Sequence, residues 1–180
     1  MASAGLASAL GTGQAVALNL VARFALATLV SAVALSAWAD IEGVVVGVSD
    51  GDTITVLDDA RVQHRVRLAG IDAPEKGQAF SARSKDSLSD CAFRHRAQVA
   101  GEKIDRYGRL VGKVVVGGVD CNIRQVEAGL AWHYKQYQRE QSPQDRLTYA
   151  QAEERAREAR TGLWQDIAPQ PPWDNRRERR

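Results

Sequence analysis

The sequence predicts a β-rich α+β domain built on a five-stranded OB-type Greek-key barrel with about three flanking helices. Three observations carry this. Five short segments have the alternation and β-branched content of strands. One helical pattern falls between the third and fourth of them, and further helical patterns follow the fifth. A length of 180 residues suits one domain with a proper core and not two.

In chain order, Ile41 to Val48 is apolar and β-branched, and Ser49-Asp-Gly turns it. Thr53-Ile-Thr-Val-Leu57 returns as the second strand, with Asp58-Asp-Ala60 as the hairpin turn. Val62 to Leu68 is the third strand, with Val62, His64, Val66 and Leu68 on one face and Gln63, Arg65 and Arg67 on the other. Pro74 forbids its continuation. Gln78 to Asp90 has helical spacing through Phe80, Ala82 and Leu88. Phe93 to Ala100 and Leu110 to Val116 read as two further strands joined by the loop carrying Asp105 to Arg109. Asn122 is the expected N-cap of a helix that runs to Ala128 and is closed by Gly129. Trp132, His133 and Tyr134 are expected near the end of a helix covering the barrel. Pro143 to Arg160 is a long charged helix stopped by Thr161-Gly. Ile167 to Trp173, with three prolines, is expected to be extended, and the charge run Arg176 to Arg180 to be solvated.

The first 39 residues differ in composition from the rest. They carry one charge, Arg23, and an apolar run from Phe24 to Ser36 that ends in Ala37-Trp-Ala39 before Asp40. That small-x-small pattern is where signal peptidase cuts, and the run is short for a membrane span. The sequence thus divides into a leader (1–39), the main domain (40–164) and a Pro-rich, basic tail (165–180). The protein is expected to be exported, periplasmic or secreted; an uncleaved membrane anchor is the alternative.

The net charge of +2 does not announce a general polyanion binder. Local arginines (Arg61, Arg65, Arg67, Arg94, Arg96, all placed in the expected strands) can still steer one. Cys91 and Cys121 are the only cysteines, and their spacing excludes a CxxC redox motif or a zinc knuckle. In an oxidising compartment they form a disulfide, or else they are two separately buried thiols.

Chemistry concentrates in three islands: Asp50-Gly-Asp-Thr53, Arg67-Leu-Ala-Gly-Ile-Asp72-Ala-Pro-Glu75 and Asp105-Arg-Tyr-Gly-Arg109. Each alone reads as a turn or a surface charge. If the second and third strands pair, Asp52 and Asp72 meet at one barrel end. Two adjacent carboxylates repel, and an oxygen-seeking divalent ion relieves that. Arginine forks suit the equatorial oxygens of a phosphoryl group in transfer. The set is that of a metal-dependent phosphodiesterase.

In this order the three islands resemble the staphylococcal nuclease (thermonuclease) family over about residues 40 to 164, with Gly129-Leu-Ala131 and Gly162-Leu-Trp164 as further similar segments. The resemblance implies a calcium-dependent nuclease acting on DNA and/or RNA as a monomer with no stable protein partner. It implies Ca2+ held by Asp52, Asp72 and the main-chain carbonyl of Ala73, where the usual residue is threonine. It further implies that Arg67 and Arg109 contact the scissile phosphate and that Glu75 acts on the attacking water. Arg106, Tyr107 and one of Tyr134 or Tyr137 would border the nucleotide. One departure is that only Lys76-Gly77 separates Glu75 from Gln78, where the family's founding member has a long lysine-bearing loop.

Two other readings compete. His133-Tyr-Lys135 with Glu140 resembles the His-x-Lys motif of phospholipase-D-type nucleases, but the acid is Glu and a second copy is missing. A non-catalytic OB-type binding module would keep the groove and lose the acids or arginines; here they all stand. His64 and His95 lack a second ligand at zinc spacing.

Overall fold

A computed structural model describes residues 41–179. The expected leader lies outside them. Among the described residues no helix is long and apolar enough to cross a membrane.

The strands are β1 (Ile41–Val48), β2 (Thr53–Asp58), β3 (Gln63–Leu68), β4 (Ile71–Asp72), β5 (Arg96–Ile104), β6 (Leu110–Val116), β7 (Val119–Asp120) and β8 (Trp132–His133). The helices are α1 (Ser81–Ala92), α2 (Cys121–Glu127), α3 (Pro143–Glu158) and α4 (Pro172–Glu178). The main sheet runs β3-β2-β1-β5-β6-β7, and a further β3–β6 pairing closes β1, β2, β3, β5 and β6 into the expected barrel. The closing pair is parallel and the others are antiparallel. Alternation along each strand fills the interior with Val45, Ile54, Val56, Val66, Leu68, Val99 and Val114, all buried.

This closure positions the polar residues. Thr53 pairs with Arg67 across β2 and β3, so Asp52 arrives beside Arg67. Val66 pairs with Leu110 across β3 and β6, which brings Arg109 to the same barrel end. The loop before Thr53 is held from within. Gln125 of α2, itself buried, donates from Nε2 to the carbonyls of Gly51 and Ser84, both at 2.8 Å. A Cβ on Gly51 would collide with Ser84 Oγ and Ala73 Cβ, so only glycine lets this loop lie against α1.

Several expectations are corrected. Asp120, not Asn122, caps α2, accepting from the amides of Asn122 and Ile123. Asn122 is instead buried, tying the Val114 amide to the carbonyls of Ala69 and Gly112. The fifth strand begins at Arg96 because α1 runs on to Ala92 and Arg94 turns the chain at φ 65°. Arg61 likewise sits in a turn, at φ 64°, and Val62 is half exposed. Trp132 and His133 form a strand, not a helix end: Ile71 pairs with His133 and Asp72 with Trp132. The tail is not wholly extended and solvated, since Pro172–Glu178 is helical and Pro172 is buried. The Pro-Pro-Trp-Asp run carries the signal for this helix, with proline at its first position and an acid in its first turn.

Cys91, in the last turn of α1, and Cys121, the first residue of α2, are joined in a disulfide with Cα atoms 6.0 Å apart. Trp132, Leu163 and Trp164 form a second apolar cluster with Ala156, against which Trp173 of α4 packs.

Candidate active site

A groove of about 1820 Å³ opens at the barrel end where β3, β4 and the start of β6 meet. Asp52 and Asp72 stand in it, 6% and 1% exposed. Arg67 bridges them, Nη1 to Asp52 Oδ2 at 2.5 Å and Nη2 to Asp72 Oδ1 at 2.7 Å. Asp52 Oδ2 also accepts the Ala73 amide at 2.9 Å, and Oδ1 accepts the Thr53 hydroxyl at 3.0 Å. Burial pushes Asp52 upward, but the Arg67 charge and the Ala73 amide outweigh it and hold the carboxyl below its ordinary value. Asp72 goes the other way: burial dominates and raises it despite hydrogen bonds and charge from Arg176 and Arg67.

Arg109 is fixed from the opposite side. Its Nε donates to Asp105 Oδ2 at 2.8 Å and its Nη1 to Thr53 Oγ1 at 3.3 Å. Asp105 Oδ1 in turn accepts the amides of Tyr107 and Arg109, both at 2.9 Å, which shapes the Tyr-Gly turn with Gly108 at φ 74°. Because Thr53 serves both Asp52 and Arg109, one polar chain runs from Arg109 through Thr53, Asp52 and Arg67 to Asp72.

Tyr107 projects outward, with the guanidinium carbons of Arg106 and Arg109 at 4.9 and 5.4 Å from its ring centre. Tyr134 and Tyr137 both border the groove, edge to face at 5.1 Å. Glu75 reaches it from a tight turn in which the Gln78 amide donates to the Glu75 carbonyl at 2.9 Å and Gly77 takes φ 89°. The short Lys76-Gly77 link is therefore a closed turn.

The donors here are oxygens, two buried carboxylates and the backbone at Ala73, with Glu75 nearby. That chemistry suits a hard divalent cation and not zinc or copper. Among the described residues, however, no three acidic, histidine or cysteine side chains are drawn together as a ready coordination shell. Each carboxylate faces a guanidinium instead.

Two further residues take part that no local sequence signal marks. Asp50 sits in the turn before β2. Its Oδ1 accepts the Asp52 amide at 3.1 Å, and burial together with the Asp52 charge raises its carboxyl from 3.8 to about 6. The folded chain therefore keeps a proton that the unfolded chain releases, and stability falls as pH rises from about 4 to about 6. Asp50→Asn removes that liability and keeps the acceptor. In EDTA it is expected to stabilise the protein by about 1–2 kcal/mol above pH 6, discounted from the full shift for partial solvent screening. The gain should vanish below pH 4; a pH-independent gain in urea melts would contradict this origin. The other is Arg176, which reaches Asp72 and Glu75 from α4.

The His-x-Lys reading does not fit the geometry. His133 is buried, its Nε2 is bonded to Gln141 Oε1 at 2.8 Å, and Lys135 is paired with buried Glu153 at 2.6 Å.

Comparison with known proteins agrees with the geometry. The sequence model of the family described as staphylococcal nuclease homologue matches residues 65–166. A micrococcal nuclease of Shigella flexneri is 44% identical over 160 residues, covering 84% of this chain and 89% of the relative. An uncharacterized endonuclease of Haemophilus influenzae is 41% identical over 134 residues, 74% of this chain and 72% of its own. Another, from Escherichia coli O157:H7, is 43% identical over 136 residues, 75% and 84% respectively. With the closed barrel and the family match in agreement, the chain belongs to the staphylococcal nuclease homologue family.

Proposed function

We propose that this protein is an exported, calcium-dependent nuclease that hydrolyses phosphodiester bonds of DNA and/or RNA by arginine-assisted attack of water on phosphate. Its family makes it a phosphodiester-cleaving hydrolase. Arginine-assisted, calcium-dependent cleavage is supported above all by the polar chain that links Arg109, Thr53, Asp52, Arg67 and Asp72 at one barrel end.

Asp52, Asp72 and the Ala73 carbonyl would hold calcium, which when bound supplies positive charge to a phosphate oxygen. Arg67 and Arg109 donate to the non-bridging oxygens, where charge grows as the phosphorus becomes five-coordinate. Glu75 accepts a proton from the water as its oxygen bonds to phosphorus. The ester bond opposite breaks, and the departing oxygen leaves with the electron pair. Arg106, Tyr107 and Tyr134 line the path of the nucleotide, since aromatic faces accept any base. The working unit is a monomer.

Incubation of the purified protein with single-stranded DNA, duplex DNA and RNA, in calcium, magnesium or EDTA, tests this. Cleavage in calcium and none in EDTA is expected. Binding of all three without cleavage would favour the binding module.

Export is supported by the disulfide, which belongs to an oxidising compartment. N-terminal sequencing of secreted or periplasmic protein is expected to begin at Asp40 or within a few residues of it. Full-length protein in the membrane fraction would favour the anchor.

A further inference from the structure

The two carboxylates assigned to water activation and to the cation are also gripped by the last helix. Arg176 Nη2 donates to Asp72 Oδ2 at 2.6 Å, while Nη1 reaches Glu75 Oε1 at 2.5 Å and Asp72 Oδ1 at 3.3 Å. The Asp72 side chain is 1% exposed and that of Arg176 is 36% exposed. The acid is part of the barrel; the arginine is brought to it from outside.

What brings it is slight. α4 has seven residues, too few for a helix stable by itself. It follows a Pro-rich segment in which Ile167 is fully exposed. Its anchors are buried Pro172 and Trp173, whose ring stacks on Tyr134 at 5.3 Å and 13° and meets the edge of Trp132 at 6.3 Å. Gln78 Nε2 adds one bond to the Gln170 carbonyl at 3.2 Å. An element held by so few contacts opens well below the free energy of global unfolding.

With Arg67 on Asp72 Oδ1, Arg176 takes Oδ2, the oxygen left to a divalent cation, and its charge repels that cation. A Glu75 already bonded to Arg176 is also held away from a water's proton. We propose that α4 is an autoinhibitory strap: Arg176 stands in for the cation on Asp72 and Glu75, Trp173 covers the face of Tyr134, and the strap must undock before calcium and substrate are engaged. This rests on the calcium reading above. Apparent calcium affinity is then reduced by the fraction of molecules with the strap docked.

The test is calorimetric titration of the EDTA-stripped exported protein, α4 included, with calcium chloride, for wild type, Arg176→Gln and Trp173→Ala. Arg176→Gln removes the competing charge, while Trp173→Ala loosens the strap and leaves every charge in place. Both are expected to bind calcium more tightly than wild type, Arg176→Gln by about tenfold or more. Arg176→Gln should also cleave DNA faster at limiting calcium and no slower at saturation. Wild-type tryptophan emission should change with calcium as Trp173 leaves Tyr134, and Trp173→Ala should lose most of that change. Equal or weaker calcium binding by both variants, with wild type binding normally, would overturn the strap alone. A loss of turnover by Arg176→Gln at saturating calcium would make Arg176 a substrate contact and would also overturn it. No calcium binding by any of the three proteins would overturn the calcium reading and the strap with it.

Discussion

Arg109→Ala is expected to lower the cleavage rate roughly 10³-fold or more while leaving the affinity for DNA within a few-fold of wild type. The reason is timing. A guanidinium aimed at phosphate oxygens gains most when those oxygens carry the extra charge of the transition state, so its loss falls on turnover and not on ground-state binding. The structure makes this the cleaner of the two arginine tests. Among the described residues the Arg109 side chain hydrogen-bonds Asp105 and Thr53 and lies over the Tyr107 ring, and Asp105 keeps its two backbone amides when the side chain is cut back. The fold should lose about 1–3 kcal/mol, since the Arg109–Asp105 pair is only partly exposed. Arg109→Lys keeps the charge but not the fork, and an intermediate rate is expected. Arg67→Ala should be as damaging to turnover and far more damaging to stability, because it leaves Asp52 and Asp72 buried side by side without their shared cation. Single-turnover rates with matched urea melts separate the two effects. Near wild-type turnover by Arg109→Ala would remove it from the reaction.

Breaking the disulfide is expected to have the largest effect on stability. Cys91 and Cys121 are separated by 30 residues, and that closed segment contains the β5–β6 hairpin. On the chain-entropy account, opening such a loop costs about 3–4 kcal/mol. For a domain of ordinary stability, about 5–15 kcal/mol, that is a large share. The melting temperature should drop on the order of 10 °C. Both sulfurs are buried, and the bridge ties α1 to α2, the helix whose Gln125 holds the Gly51 carbonyl. Reduction of wild type and the Cys91→Ala/Cys121→Ala double substitution should give similar melts, with activity retained at 25 °C. An unchanged melting temperature after verified reduction would contradict a stabilising role. Lost activity with unchanged melting would show the bridge acting on the site itself.

The barrel strands were legible because local alternation and burial agree: β1 and β6 occupy the residues their patterns predict, and β2 and β3 differ by one at an end. The approach of Asp52 and Asp72 was legible too, since a β2–β3 hairpin pairing leaves little freedom in where Thr53 and Arg67 sit, but that Arg67 itself bridges the two acids was not. What escaped depends on partners distant in sequence. Trp132-His133 is a strand only because Asp72 and Ile71 present an edge to it. Asn122 has the composition of a cap, yet its amide is used inside, between β6 and the Ala69 carbonyl, and Asp120 two residues earlier takes the cap. Arg176 looked like a solvated charge in a basic run. Nothing local distinguishes it from its neighbour Arg177, which pairs with Asp174 within the same helix. Only the docking of Trp173 on Tyr134 turns Arg176 toward Asp72.

Cleavage of single-stranded DNA against free calcium, measured with EDTA-stripped wild type and Asp72→Asn, decides whether the Asp52/Asp72 end of the barrel cleaves phosphodiesters with a calcium ion in place. A saturable rise from zero is expected for wild type, with no comparable rise for Asp72→Asn. A wild-type rate that is already full without calcium, or an Asp72→Asn curve that overlays wild type, would rule out a calcium-bearing Asp72 in the reaction.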